Sequence, residues 1–182
     1  MRIVKNVLGV ATLGLVLFAT TTASGANPPR GGQVEIFITP GIYNTDGPIV
    51  VTGAIGDYGQ TLTMDKNGKP TADGDYVRIT LQKGTFEMNT TAFNATARRT
   101  QPTVHKATCS FVFSAAGPAV TLHNGTGFYR GISGTVKIVA TFAWVGSRYK
   151  TGKQKGQCDL SESARPVAEY LSITGTGTVR FS

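Results

Sequence analysis

The chain has 182 residues and a formal net charge of +8; 15% of its residues are charged, 40% are hydrophobic and 23 are Gly. The charged fraction is well below the roughly 25% of a typical soluble domain, which excludes a long helical bundle or coiled coil and favours a β-protein rich in turns. Val, Ile, Leu and Phe recur along the chain, so an intrinsically disordered protein is also excluded.

The first 26 residues predict a secretory signal peptide. Arg2 and Lys5 form a short basic start, an apolar run covers 7–18, and small or polar residues follow. The run is too short to span a bilayer comfortably, although an N-terminal membrane anchor is the alternative. We therefore expect a secreted, extracellular protein. Residues 27–182 are predicted to form one domain, because no linker, repeat or change of composition divides them.

Most segments after this point alternate apolar and polar residues, as half-buried strands do. In 135–145, for example, every second residue from Val136 to Trp144 is apolar. The predicted strands cover 33–39, 48–55, 60–64, 76–82, 85–89, 107–114, 119–123, 135–145 and 169–181.

This pattern predicts a single all-β domain with about eight to ten strands, in an antiparallel barrel or sandwich that protects the strand edges. The long Gly-rich strands favour the barrel, because Gly allows a strand to bend sharply at a corner. The only helix considered is a short one over 162–169, which Pro166 weakens.

The two cysteines, Cys109 and Cys158, predict one disulfide in an oxidising compartment. A pair of buried thiols is the alternative. A disulfide that closes a loop of this length stabilises a protein by about 4 kcal/mol, if it forms without strain.

A glycine-rich segment carries a resemblance to a known family. Residues 125–134 read GTGFYRGISG, which resembles the G-T-G-x-[FY]-x-G-x-x-G segment of the allene oxide cyclase and dirigent β-barrel superfamily. Further segments resemble those of bacterial members and occur in the same order: GAIGDYG at 53–59, KGTFE at 83–87, KATC at 106–109 and GTGTV at 175–179.

The resemblance covers nearly all of residues 27–182 and implies an eight-stranded antiparallel β-barrel with an apolar interior. It also implies a homotrimer, the state of the plant members. Those members handle a reactive intermediate with acidic and basic side chains inside the barrel, but no such position aligns with a residue of this chain.

Other kinds of site have little support in the sequence. There is no G-x-S-x-G nucleophile motif and no zinc spacing, and His105 and His123 are predicted to be ordinary surface residues. The group Asp65, Asn67, Asp73 and Asp75 suggests turns, which Asn and Asp favour, rather than a calcium site. No metal, no cofactor and no specific nucleic-acid binding is predicted.

Apolar side chains on the inward strand faces predict either a packed core or a cavity for a small apolar molecule. The predicted pocket residues are Phe86, Met88, Phe111, Phe113, Phe142 and Trp144.

Polar residues are expected at the mouth of such a cavity, and all of those named below except Arg130 are also candidates for catalysis. Burial would raise the pKa of a carboxyl at this place, so that it acts as a general acid or base. The candidate mouth residues are Asp57, Tyr58, Tyr129, Arg130 and Glu169.

Four cations follow one another in residues 148–155: Arg148, Lys150, Lys153 and Lys155. They predict either contact with an anionic polymer or surface, or simply a solvated loop. Three functions therefore remain open: binding of a small apolar molecule, a cyclase, isomerase or dirigent-type reaction on an apolar intermediate, and non-catalytic surface interaction through this basic loop. An open cavity with an inward carboxylate favours the enzyme, an open cavity without one favours the binder, and a filled barrel favours surface interaction.

Overall fold

The computed structural model describes residues 31–40, 46–159, 161 and 163–182, so the predicted signal peptide over 1–26 lies outside the described residues. In these ranges the chain forms ten strands, one α-helix and one short 3₁₀ helix, and no helix is long and apolar enough to cross a membrane. The strands are β1 (Gly32–Ile38), β2 (Asp46–Gly53), β3 (Asp57–Met64), β4 (Tyr76–Leu81), β5 (Gly84–Asn89), β6 (Thr103–His105), β7 (Ser110–Ala116), β8 (Val120–His123), β9 (Ser133–Gly146) and β10 (Pro166–Arg180). The α-helix is α1 (Thr91–Ala97), and the 3₁₀ helix covers Gly127–Tyr129.

Eight strands close into an antiparallel barrel, which confirms the predicted fold class. The order around the barrel is β1-β2-β3-β4-β5-β8-β9-β10, and β10 pairs with both β1 and β9. Strand β8 pairs with β9 at Val136 and Thr135, and β7 pairs with the following part of β9. The segment containing β7 and β8 therefore occupies one position beside β9.

Two strands are much longer than the barrel needs. β9 has 14 residues and β10 has 15, whereas β4 and β5 have six each. At about 3.3 Å per residue, β9 is more than 20 Å longer than β4. The excess length of β9 pairs with that of β10 on one side and with β7 on the other, and β7 pairs with β6. We call this four-stranded part, residues 103–116, 139–146 and 166–174, the strand extension.

The barrel interior is lined by the alternating apolar residues that the sequence indicated. On β1 the buried residues are Val34, Ile36 and Ile38, and on β9 they are Val136 and Ile138. Side chains that alternate across each strand bring one apolar set together inside the barrel.

The predicted disulfide is present and lies in the strand extension. Cys109, just before β7, is bonded to Cys158, with 5.3 Å between the Cα atoms and 49 positions between them in sequence. It fastens residues 147–158, the disulfide loop, to the turn between β6 and β7.

The helix considered at 162–169 does not form in its described part, where β10 begins at Pro166. Pro removes a backbone donor and favours extended conformations before it, so a strand edge suits it better than a helix. Helix α1 was not predicted, because its seven residues carry a single buried side chain, Phe93, and show no apolar repeat.

The turn between β3 and β4 is built by Asp65. Its carboxylate accepts hydrogen bonds from the backbone N–H of Asn67 at 2.8 Å and of Lys69 at 3.0 Å. Gly68 follows with φ of +80°, in the left-handed region that glycine adopts without strain. Turn chemistry thus accounts for Asp65 and Asn67.

Replacing Gly68 by Ala is expected to lower the free energy of unfolding by about 1 kcal/mol, because a Cβ disfavours the left-handed region. The site has space for the methyl group, since its nearest neighbour would be an Arg78 nitrogen at 3.7 Å. Chemical denaturation measures the loss. Gly68→Asn should lose less unfolding free energy than Gly68→Ala, because Asn adopts the left-handed region more readily than Ala. Equal losses in the two variants would contradict the explanation from backbone conformation.

Candidate functional site

One end of the barrel is open and leads into a cavity of about 320 Å³. It lies where β2 begins and β3 ends, and α1 stands beside it. Its walls are largely apolar, and its polar groups range from buried Thr61 and Thr90 to exposed Asp46 and Asp73. The apolar lining residues are Ile38, Pro40, Ala72, Val77, Met88, Phe93, Ala97, Ile138 and Ile173, and the polar ones are Asp46, Thr61, Thr63, Asp73, Thr90, Asn94 and Arg98. We call this space the barrel-end cavity.

Helix α1 is held at the opening by polar contacts around Asp75. The Asn94 amide donates to the Asp75 carboxylate at 2.8 Å and to the carbonyl of Gly74 at 3.2 Å. The Thr90 hydroxyl donates to the Asp75 carbonyl at 2.9 Å. These bonds, together with buried Phe93, keep one face of the helix against the cavity.

The polar groups of the cavity fall into two kinds. Buried Thr61 satisfies its hydroxyl by donating to the carbonyl of Gly47 at 3.1 Å. Asp46 and Asp73, the carboxylates among the described lining residues, are both exposed to solvent. Among the described lining residues, therefore, no carboxylate is buried in the apolar part of the cavity.

The opposite end of the barrel is closed by Tyr129. Its side chain is 1% exposed, packs edge-on against Phe86 with ring centroids 5.6 Å apart, and donates its hydroxyl to the Asp57 carboxylate. Asp57, 7% exposed, also accepts from the backbone N–H of Tyr58 at 2.8 Å and of Lys83 at 3.1 Å. One carboxylate thus ties β3 to two distant segments, around Lys83 and Tyr129.

The pKa values of this pair follow from these contacts. Burial raises the pKa of Asp57, but the hydrogen bonds from Tyr129, Tyr58 and Lys83 outweigh it and hold the pKa below its ordinary value of 3.8. Burial and the bond to the Asp57 carboxylate raise the pKa of Tyr129 above its ordinary value. The raised carboxyl pKa expected from the sequence is therefore wrong for Asp57, which stays ionised.

The glycine-rich segment at 125–134 forms the turn that places Tyr129 at the closed end of the barrel. The backbone N–H of Tyr129 donates to the carbonyl of Thr126 at 2.9 Å, and that of Ile132 donates to the carbonyl of Tyr129 at 2.9 Å. A Cβ at Gly125 would lie 1.7 Å from the carbonyl oxygen of Tyr129, so only glycine fits there. The motif thus has a packing role in closing the barrel.

The five candidate mouth residues do not form one mouth. Asp57 and Tyr129 meet at the closed end, while Tyr58, 62% exposed, and Arg130 lie on the surface there. Glu169 is exposed on the strand extension, where it pairs in register with Trp144. The sequence alternation identified faces, but it carried no information on which end of the barrel each residue occupies.

The six predicted pocket residues also divide into groups. Phe86 and Met88 are buried in the barrel, Met88 beside the barrel-end cavity, and Phe113 packs against the core. The other three form a separate cluster in the strand extension. Ring centroids of Phe111 and Trp144 lie 4.9 Å apart, and those of Phe111 and Phe142 lie 5.4 Å apart.

Neither histidine and no residue of the basic loop is among the described residues that line the barrel-end cavity. His123 is half-buried, with its Nδ1 3.9 Å from the Glu87 carboxylate, and His105 is exposed on β6. Arg148 donates to the carbonyl of Gly156 at 2.7 Å and to that of Ala107, while Lys150, Lys153 and Lys155 are exposed. No group of three or more His, Cys, Asp or Glu in the described ranges is arranged to hold a metal.

Comparison of the chain with protein-family models, with curated proteins and with solved structures found no match. The function therefore has to be inferred from the geometry of this chain. Its most informative feature is an open, apolar cavity at one barrel end, opposite a closed end sealed by a buried Asp–Tyr pair.

Proposed function

We propose that this protein is a secreted β-barrel that binds a small apolar molecule in the barrel-end cavity. The observation that carries the proposal is the cavity itself. Its volume of about 320 Å³ lies at the lower end of the range for small-molecule sites, roughly 300–1,000 Å³. Apolar walls with a few polar groups at the opening are the usual form of such a site.

Secretion is part of the proposal, and the Cys109–Cys158 disulfide supports it. Disulfides persist in extracellular and periplasmic proteins and are rare in reducing compartments. Membership of the allene oxide cyclase and dirigent superfamily belongs to the proposal as well. The ordered glycine-rich segments and the closed eight-stranded barrel support it.

Binding is favoured over a cyclase or isomerase reaction by the positions of the carboxylates. A general acid in an apolar site needs burial to bring its pKa toward neutrality. The carboxylates of Asp46 and Asp73, at the cavity opening, are exposed to solvent, and that of Asp57 is engaged at the closed end. A reaction in the cavity would thus have to rely on shape and the exclusion of water.

Filling the cavity tests the proposal. Ala97 lies on the cavity side of α1, so Ala97→Phe places a ring in the space that the ligand needs. We expect the affinity for N-phenyl-1-naphthylamine, an uncharged probe that becomes fluorescent in apolar surroundings, to fall at least about tenfold. A fluorescence titration measures this change.

The matched control is Ala92→Phe, which makes the same substitution at an exposed position of the same helix. It should bind the probe like the wild type. Equal affinity of all three proteins, or no binding by the wild type, would rule out the barrel-end cavity as the site. If the titration supports the site, native mass spectrometry of protein purified from its producing cells would identify a natural occupant by its mass.

A further inference from the structure

The strand extension contains a second space, separate from the barrel. It has a volume of about 520 Å³ and lies between the turn that joins β6 to β7 and the disulfide loop. Its described lining residues all belong to 104–159, and none of these lines the barrel-end cavity. We call it the disulfide cleft.

The cleft is held by two independent connections between its sides. The Cys109–Cys158 bond is part of its lining and joins the start of β7 to the disulfide loop. Arg148 makes the second connection, because its guanidinium donates to the carbonyl of Gly156 in the loop and to that of Ala107 in the opposite turn. A gap fixed in this way keeps its shape without an occupant, which lowers the entropic cost of binding.

The apolar part of the lining is aromatic. Phe111 and Trp144 both line the cleft and pack edge to face, at an interplanar angle of 81°. Both rings are half-buried, unlike the fully buried Phe86 of the barrel. Half-buried aromatic rings at a concave site offer a large contact area to a flat apolar group.

The charged part of the lining is mainly positive. Lys106 and Arg148 line the cleft, and no ion pair in the described part of the chain joins either of them to a carboxylate. Asp159 is the acidic residue among the described lining residues, and its carboxylate is engaged by the hydroxyl and the N–H of Ser161, at 2.7 and 3.1 Å. The three lysines of the disulfide loop add further positive charge nearby.

We propose that the disulfide cleft is a second binding site, for a small aromatic molecule that carries a carboxylate or another single anionic group. The aromatic part would lie against Phe111 and Trp144, and the anionic group would face Lys106 and the guanidinium of Arg148. Such an amphiphilic anion differs from the uncharged apolar molecule proposed for the barrel, and the two sites are independent.

The chain carries its own reporter for this site. Trp144 is the only Trp, so a ¹⁵N-labelled sample gives one indole N–H signal in a two-dimensional NMR spectrum. The probe is 2-naphthoate, and its uncharged counterpart is 2-naphthamide, which has nearly the same shape. We expect 2-naphthoate to shift the Trp144 signal saturably, with an affinity about fivefold or more above that of the amide, from the loss of one charge–charge contact.

Lys106→Met removes one cation and keeps most of the side-chain length. Its affinity for 2-naphthoate should fall by a similar factor, whereas Lys137→Met, at an exposed site on the outside of the barrel, should leave it unchanged. Ala97→Phe should also leave the Trp144 response unchanged, which separates this site from the barrel-end cavity. The proposal is overturned by the absence of a saturable shift, by equal affinities for the acid and the amide, or by an unchanged affinity in Lys106→Met.

Discussion

Replacing Cys109 and Cys158 together by Ser is expected to lower the free energy of unfolding by about 4 kcal/mol. The two cysteines are 49 positions apart, and opening a loop of that size increases the conformational freedom of the unfolded chain. For a domain of this size the loss corresponds to a fall in Tm of about 10 °C. Denaturation by guanidinium chloride without reductant measures the difference in free energy between the two proteins.

The location of the disulfide predicts which part of the structure is destabilised first when it is removed. The disulfide fastens the loop to the strand extension, whereas the barrel closes through β1, β9 and β10 without it. Amide hydrogen exchange should therefore accelerate mainly in β6, β7 and the disulfide loop, because local openings follow the least stable unit. The disulfide cleft should lose its binding of 2-naphthoate in the same variant, since the bond forms part of its lining.

The control is the wild-type protein after reduction, which should match the double variant in both stability and exchange pattern. A loss of less than about 1 kcal/mol would show that the unfolded chain is already restricted without the bond. Uniformly faster exchange over the whole barrel would contradict the local role assigned to the disulfide.

The fold was predictable because strand alternation is a local property of the sequence. The alternating residues of β9, from Val136 to Trp144, do share one face, as expected. Alternation does not show where the shorter strands of the barrel end. Phe142 and Trp144 therefore continue the inward face of Ile138 but lie past the barrel, in the strand extension.

The sites were less predictable, because they depend on contacts between distant segments. Asp57 meets Tyr129 across 72 positions, and no spacing rule in the sequence connects them. Helix α1 is held in place by the Asn94 amide, which donates to the carbonyl of Gly74 and to the carboxylate of Asp75 in an earlier turn. The disulfide cleft similarly joins a basic loop and an aromatic cluster that the sequence suggested as separate features.

Replacing Tyr129 by Phe is expected to lower the free energy of unfolding by about 2 kcal/mol near neutral pH, because a buried carboxylate loses one of its charge-assisted hydrogen bonds. The change keeps the ring that packs against Phe86, so it leaves no large cavity. Asp57 retains the backbone N–H groups of Tyr58 and Lys83 as donors. Urea denaturation of both proteins over a range of pH measures the effect.

The effect should depend on pH in a direction set by the two pKa shifts. The pKa of Asp57 is below 3.8 in the folded protein, so under acidic conditions the unfolded chain binds more protons and stability falls as pH falls. The stabilisation by the pair is complete above about pH 4 and is lost as the pH passes through the folded pKa. The pKa of Tyr129 is above 10.0 in the folded protein. Its contribution to the free energy of unfolding is therefore complete below pH 10 and is lost as the pH rises through the folded pKa.

Tyr58→Phe is the matched control, because it removes the same hydroxyl from the neighbouring residue of Asp57 at a side chain that is 62% exposed. Its backbone N–H still donates to Asp57, so its stability should stay within about 0.5 kcal/mol of the wild type at every pH. The difference in unfolding free energy between the wild type and Tyr129→Phe should become smaller below pH 4 and above pH 10. Equal losses of unfolding free energy in Tyr58→Phe and Tyr129→Phe would mean that the Tyr129 hydroxyl does not stabilise the fold. A loss in Tyr129→Phe that does not change with pH would mean that this hydroxyl does not act through the ionised form of Asp57.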